Sequence, residues 1–205
     1  MFNNEFQMTP VVRNLVMMNI VVFLATFLFP VLNGLLALYP IMSNLFRPYQ
    51  LVTHFFMHGG LMHIFFNMYV LANVGSLVET IWKPERFLFY YLFCALSSAF
   101  LHLGINYYLF QQTHDFSLYA PAVGASGAIF GIVVAGGYLF PEQEVRMMLM
   151  PIPIKGKYLV PLMLIAEVLS ARMNIAGDNV AHFAHLGGAI GGMILILFWS
   201  KKTIF

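Results

Sequence analysis

The stretch His182-Phe183-Ala184-His185-Leu186-Gly187-Gly188-Ala189-Ile190-Gly191-Gly192 sets two histidines and two overlapping glycine pairs in an apolar run. The glycines of each pair are four residues apart, a spacing that lets a second helix approach closely in a membrane. Gly127 and Gly131 repeat this spacing in another apolar segment. The pattern therefore predicts that the two helices pack together and bring His185 against Ser126, with both histidines facing inward.

The composition indicates a membrane protein. Of 205 residues, 60% are hydrophobic and 9% are charged, and the mean hydropathy is +0.81, whereas soluble domains carry roughly a quarter charged residues. We expect an all-α polytopic bundle of six transmembrane helices, forming a single membrane domain over 1–205 with a core at about 10–200. The predicted helices are about 14–32, 61–81, 87–109, 125–140, 158–173 and 180–199. The apolar segment 33–60 is the expected first external loop, which either packs against the helices or dips into the membrane interface.

Basic residues predict the orientation, since they are enriched in cytoplasmic loops. Six spans place both termini on one side, and that side would hold eight of the ten basic residues. These are Arg13, Lys83, Arg86, Arg146, Lys155, Lys157, Lys201 and Lys202, against Arg47 and Arg172 on the other side. We therefore expect cytoplasmic termini, with the second, fourth and sixth helices starting at the outer side. The net charge of +2 gives no reason to expect nucleic acid as a partner, and membrane lipid is the expected surrounding.

The segment Gly124-Ala125-Ser126-Gly127 opens the fourth predicted helix. Read alone, Ser126 is a helix cap. The same position also suits a nucleophile, because the free N–H groups at a helix N-terminus can stabilise a developing oxyanion. In the second helix, His63 and Asn67 share a face and are either interhelical glue or oxyanion donors.

Taken together, these residues favour hydrolytic chemistry. A serine nucleophile needs a base, for which histidine is the usual choice, and His185 is the candidate. No acid is placed in the sequence to orient His185, since Asp178 is seven residues upstream and is, like Asn179, a candidate helix cap. We therefore expect a Ser–His dyad, with His185 oriented by packing or by an aromatic residue such as Tyr69.

Three segments, residues 58–68, 124–127 and 182–188, resemble the motifs of the rhomboid family of intramembrane serine proteases, in family order. The resemblance covers about 45–200, and the chain is similar to the minimal six-helix bacterial form of the family. It implies Ser126 as nucleophile, His185 as base, and His63, Asn67 and the Ser126 N–H as oxyanion donors. It also implies structural roles near the site for Glu79, Gly124, Gly127 and Gly188.

The same residues also bear on three other functions: a zinc peptidase, a transporter and a catalytically inactive relative. A zinc peptidase is disfavoured because the chain lacks an HExxH motif and the histidines lack a neighbouring carboxylate, so we expect no metal and no cofactor. Glu167, mid-span in the fifth helix, is either a transporter's proton site or, as we prefer, a structural hydrogen-bonding group. A catalytically inactive relative would usually lack the serine or the base, and this chain keeps both.

The sequence therefore predicts a serine endopeptidase of a bacterial cytoplasmic membrane, with its active site toward the outer side. The expected substrates are single-pass transmembrane proteins, cut near the outer leaflet through an acyl-enzyme. The resemblance and the small residues around Ser126 favour small residues at the cleavage site. The oligomeric state stays open.

Overall fold

The computed structural model describes residues 7–147, 150–173 and 179–202. Helices dominate this part of the chain, and two short strands lie between the sixth and seventh of them. The helices are α1 (Pro10–Leu28), α2 (Val31–Leu36), α3 (Gln50–Thr53), α4 (Leu61–Trp82), α5 (Pro84–Thr113), α6 (Ser126–Leu139), α7 (Gly156–Met173) and α8 (Asn179–Lys202). The strands are β1 (Glu144–Met147) and β2 (Met150–Lys155).

A polytopic helical membrane protein is confirmed by length and composition. Within the described residues, four stretches are long and apolar enough to span a bilayer: α1, α4, α5 and His182–Ser200 of α8. Large apolar side chains such as Phe27 (75% exposed) and Phe100 (61% exposed) point outward, as a lipid-facing surface requires. The other two predicted spans correspond to α6, with only 14 residues, and to α7, which contains Pro161. The count of six spans therefore stays a prediction.

A short antiparallel pair of strands that the sequence did not predict lies between α6 and α7, while the described chain is otherwise mostly helical and fits the all-α class. The strands β1 and β2 are antiparallel, with Glu144 opposite Lys155 and Val145 opposite Ile154. Val145 and Ile154 also pack on the hydrophobic core. Their β-branched side chains favour a strand, a signal that the apolar content of the neighbouring helices obscured.

The glycines of α8 contact two different helices. A methyl group at Gly188 would overlap the carbonyl oxygen of Gly127, and one at Gly131 would lie 3.2 Å from the Gly188 carbonyl oxygen. The predicted close contact of α6 with α8 is thus confirmed. The other pair, Gly187 and Gly191, faces Ser97 of α5 instead, so α8 lies in a groove between α5 and α6.

The segment between α1 and α4 packs against the bundle, as predicted. Leu38 is fully buried and forms an antiparallel bridge with Ala122. The carbonyl oxygen of His54 accepts a hydrogen bond from the Gly124 N–H at 2.9 Å. Buried Gln50 ties the segment together, accepting from the Arg47 N–H at 3.0 Å and donating to the Leu45 carbonyl at 3.1 Å. These bonds fix the stretch that leads into Ser126.

Glu79 joins the end of α4 to the start of α1. Its carboxylate accepts hydrogen bonds from the Thr9 hydroxyl at 2.5 Å, the Val11 N–H at 3.0 Å and the Val12 N–H at 2.9 Å. The side chain is 2% exposed. A negative group at a helix N-terminus satisfies free N–H groups and complements the helix dipole, so Glu79 anchors α1 to the bundle.

Replacing this carboxylate should destabilise the protein. Glu79→Ala leaves three donors without their acceptor, and we expect a loss of about 3 kcal/mol, read as a lower unfolding temperature in detergent. Glu85→Ala is the matched control, because Glu85 is an exposed acid at the start of α5 and should change little. Equal unfolding temperatures for the two variants would contradict the anchoring role.

Two Gly→Ala changes should have opposite effects on stability. Gly188→Ala drives a methyl group into the α6 backbone and should cost about 1–3 kcal/mol. Gly104→Ala, on α5, meets no atom within 4 Å and should gain about 0.5–1 kcal/mol from its helix preference. Thermal unfolding of both variants checks this, and a neutral Gly188→Ala would show that α6 and α8 do not approach as closely as described.

Candidate active site

Ser126 and His185 are hydrogen-bonded to each other. Ser126 is the first residue of α6, and its Oγ lies 2.9 Å from Nε2 of His185, in the second turn of α8. His185 stands three residues before Gly188, so the close glycine contact lies one turn from the pair. The geometry is that of a serine nucleophile beside its general base.

An aromatic ring covers one face of His185. Phe130 is parallel to the imidazole, with ring centroids 4.4 Å apart and planes at 8°. It follows Ser126 by four residues on α6 and therefore shares its helix face. An aromatic neighbour of His185 was one of the two expectations, and it is Phe130; Tyr69, the example given, stacks on Phe65 instead. The i, i+4 relation to Ser126 was the sequence signal for Phe130.

A carboxylate stands on the far side of His185. Glu167 of α7 lies with Oε1 3.1 Å from Nδ1 of His185, and its Oε2 is 2.5 Å from Nδ1 of His182. Its side chain is 15% exposed. The expectation that no acid lies near these histidines is therefore wrong. The acid comes from another helix. The predicted cap Asp178 and the side chain of Asn179 both lie outside the described part of the chain.

This carboxylate favours one form of the His185 ring. A neutral imidazole carries a single N–H, and a negative oxygen beside Nδ1 favours the proton there. Nε2 is then the acceptor that faces the Ser126 hydroxyl. In serine hydrolases an acid beside the histidine holds the ring in this tautomer and stabilises the imidazolium that forms. Glu167 lies beside this nitrogen at 3.1 Å, although Nδ1 makes no hydrogen bond among the described residues, so its part in holding the ring stays a prediction.

His63 faces the same space as Ser126. The N–H of Gly59 lies 3.4 Å from Nδ1 of His63 and donates to it, which leaves the ring proton on Nε2. A side chain at Gly124 would lie 3.1 Å from this Nε2 and 3.5 Å from Ser126 Oγ. Gly124 also has φ +131°, a conformation that favours glycine. The glycine keeps the space between donor and nucleophile open.

Asn67 lies one turn beyond His63 on α4 and is set back from the cavity. It is 7% exposed, and its amide nitrogen has no hydrogen-bond partner among the described residues. A buried donor without a partner is uncommon and would be free to bind an incoming oxygen. Asn67 is not among the residues that line the cavity, so its part in an oxyanion site stays a prediction.

A polar cavity of about 730 Å³ opens beside these residues. Ser126, His63 and His185 all line it. The sequence interpretation missed further polar residues on its wall, and three of them are four residues apart on one face of α5, which was their signal. The missed residues are His54, Ser98, His102 and Asn106. A cavity of this size and polarity can hold water.

His54 adds no charge to the cavity at neutral pH. Its burial lowers the pKa of the imidazole to about 4. The ring therefore stays neutral, and Nδ1 donates its proton to the Gln50 carbonyl at 2.7 Å.

Comparison with known proteins shows the family to which this chain is related. The family model of the rhomboid domain matches residues 45–202. Similar proteins include Rhomboid protein 1, mitochondrial, of Saccharomyces cerevisiae (26% identical over 72% of this chain and 41% of the relative). Others are Presenilin-associated rhomboid-like protein A, mitochondrial, of Danio rerio (31%, over 72% and 38%), and Rhomboid protease GluP of Bacillus subtilis (27%, over 66% and 23%). The chain thus matches less than half the length of each.

Proposed function

This chain belongs to the rhomboid family, and we propose that it is an intramembrane serine endopeptidase acting through Ser126 and His185. The hydrogen bond of 2.9 Å between Ser126 Oγ and His185 Nε2, inside a polar cavity of a membrane bundle, carries the proposal. A similar protein of Bacillus subtilis is named a rhomboid protease, which supports the same reaction class. No metal and no cofactor take part in it.

The mechanism follows from the positions of the side chains. His185 Nε2 takes the proton of Ser126 as Oγ attacks the scissile carbonyl carbon. The oxyanion that forms accepts hydrogen bonds from His63 Nε2–H and the Ser126 N–H, with the Asn67 amide as a further donor. His185 then gives its proton to the leaving amine, and an acyl-enzyme remains. Water from the cavity hydrolyses that ester with His185 again as base.

Single-pass transmembrane proteins are the proposed substrates. A helix in lipid has its carbonyl groups paired, so the segment to be cut must unwind before Ser126 can reach it. The small residues Gly124, Ala125 and Gly127 surround the nucleophile, and together with the resemblance to the family they favour small substrate residues. The basic residues, eight against two, support cytoplasmic termini in a bacterial cytoplasmic membrane with Ser126 near the outer leaflet.

The contacts of Glu167 bear on the transporter alternative. Its carboxylate lies against two histidines of α8, one of which is the proposed base. These contacts explain why an acid lies in the middle of a span, and the proposed peptidase site therefore accounts for Glu167 without a transporter function.

Removing either member of the pair should abolish cleavage. In detergent with a model transmembrane substrate, Ser126→Ala and His185→Ala should each lower the cleavage rate by about 10³-fold or more, because neither nucleophile nor base can be replaced. Ser200→Ala is the control, at the opposite end of α8, where its hydroxyl donates to the Leu197 carbonyl at 3.0 Å. Cleavage that survives Ser126→Ala would refute the mechanism.

Glu167 should act as a positioning residue for His185. Glu167→Gln removes the charge that favours the reactive tautomer, and we expect kcat to fall about 10- to 100-fold with KM nearly unchanged, since orientation of the base matters only in the transition state. The exposed Glu142→Gln is the control. A lower unfolding temperature with unchanged kcat would instead indicate a purely structural role.

A further inference from the structure

Glu167, His182 and His185 form a cluster with the composition of a metal site. One oxygen of Glu167 and a ring nitrogen of each histidine lie within 4.8 Å of one another. The side chains are 15%, 16% and 22% exposed, so they are largely shielded from solvent, and His185 also lines the cavity. Two imidazoles and one carboxylate, with a fourth position left for water, are a known Zn²⁺ ligand set.

The orientation of the three groups suits a shared cation. Both histidines turn Nδ1 toward the same carboxylate, at 2.5 Å for His182 and 3.1 Å for His185. They are three residues apart on α8 and so share a face, while Glu167 approaches from α7. A cation in place of the ring protons would find three ligands converging from two helices, and the cavity would supply water as the fourth.

We propose that these three residues bind one Zn²⁺ ion and that its binding switches off Ser126. The ion takes Nδ1 of His185, so the single proton of the neutral ring must lie on Nε2. An imidazolium ring would release its other proton to water. The Nε2–H then faces Ser126 Oγ, 2.9 Å away, as a donor and cannot accept the hydroxyl proton. Zn²⁺ is therefore an inhibitor of this site. The inhibition rests on the proposed function, whereas the binding does not.

Binding is tested without activity. Ser126→Ala protein, freed of metal by a chelator, is titrated with ZnCl₂ by calorimetry, and we expect one equivalent to bind. Glu167→Gln and His182→Ala, each added to Ser126→Ala, should weaken binding by at least about 100-fold, because each removes a ligand. His114→Asn is the control, since it removes a histidine outside the cluster.

A second measurement guards against a misfolded variant. Co²⁺ in place of Zn²⁺ should give the visible absorption bands of a tetrahedral site in Ser126→Ala, and Glu167→Gln should lose them while the unfolding temperature reports its fold. Absence of binding, or equal binding with and without Glu167, overturns the site.

Inhibition is tested on the wild-type protein. Zn²⁺ should lower the cleavage rate at least tenfold and a chelator should restore it, whereas Mg²⁺ should have no effect because it prefers oxygen ligands. Zn²⁺ that binds without inhibiting overturns the switch. Cleavage that requires Zn²⁺ overturns both the switch and the serine mechanism. A protein that binds one Zn²⁺ but never cleaves overturns the proposed function and supports the cation site alone.

Discussion

The backbone contact between Gly127 and Gly188 is the constraint on which the rest of the site depends. Any side chain at Gly188 would overlap the Gly127 carbonyl oxygen, so the close approach of α6 and α8 requires a glycine there. Ser126 precedes one glycine and His185 lies one turn before the other, which places Oγ and Nε2 2.9 Å apart. Packed interiors resist compression, and the glycine contact therefore sets the distance between these two side chains.

Two carboxylates in this apolar bundle lie where specific partners stabilise them. Glu79 holds the first N–H groups of α1, and Glu167 contacts two histidines. Ionisable groups inside a membrane are costly and need such partners. Glu79 thereby ties α1 to α4, and Glu167 brings a carboxylate beside the ring of His185. Three further polar residues of α5 line the cavity (Ser98, His102 and Asn106), and the proposed hydrolysis would need water there.

Local patterns predicted what lies on one helix and failed for what depends on several. Glycine spacing identified the α6–α8 contact and hence the pair Ser126 and His185. Glu167 was not foreseen as a partner of His185, because the two are 18 residues apart and meet only through the packing of α7. The sequence suggested an aromatic neighbour for His185 and Tyr69 as an example, whereas the ring that stacks on it is Phe130. Sequence alone does not say which aromatic ring faces inward. The hairpin of β1 and β2 was hidden by an apolar composition that also suits a loop at a membrane surface.

The central claim is that Ser126 is a nucleophile made reactive by His185, and chemical trapping tests it most directly. The wild-type protein is treated with a fluorophosphonate, digested, and mapped by mass spectrometry to the modified residue. The account predicts a single adduct on the Ser126 oxygen, which disappears in His185→Ala while the protein stays folded. An adduct on another residue, or equal modification of Ser126 without His185, would contradict it.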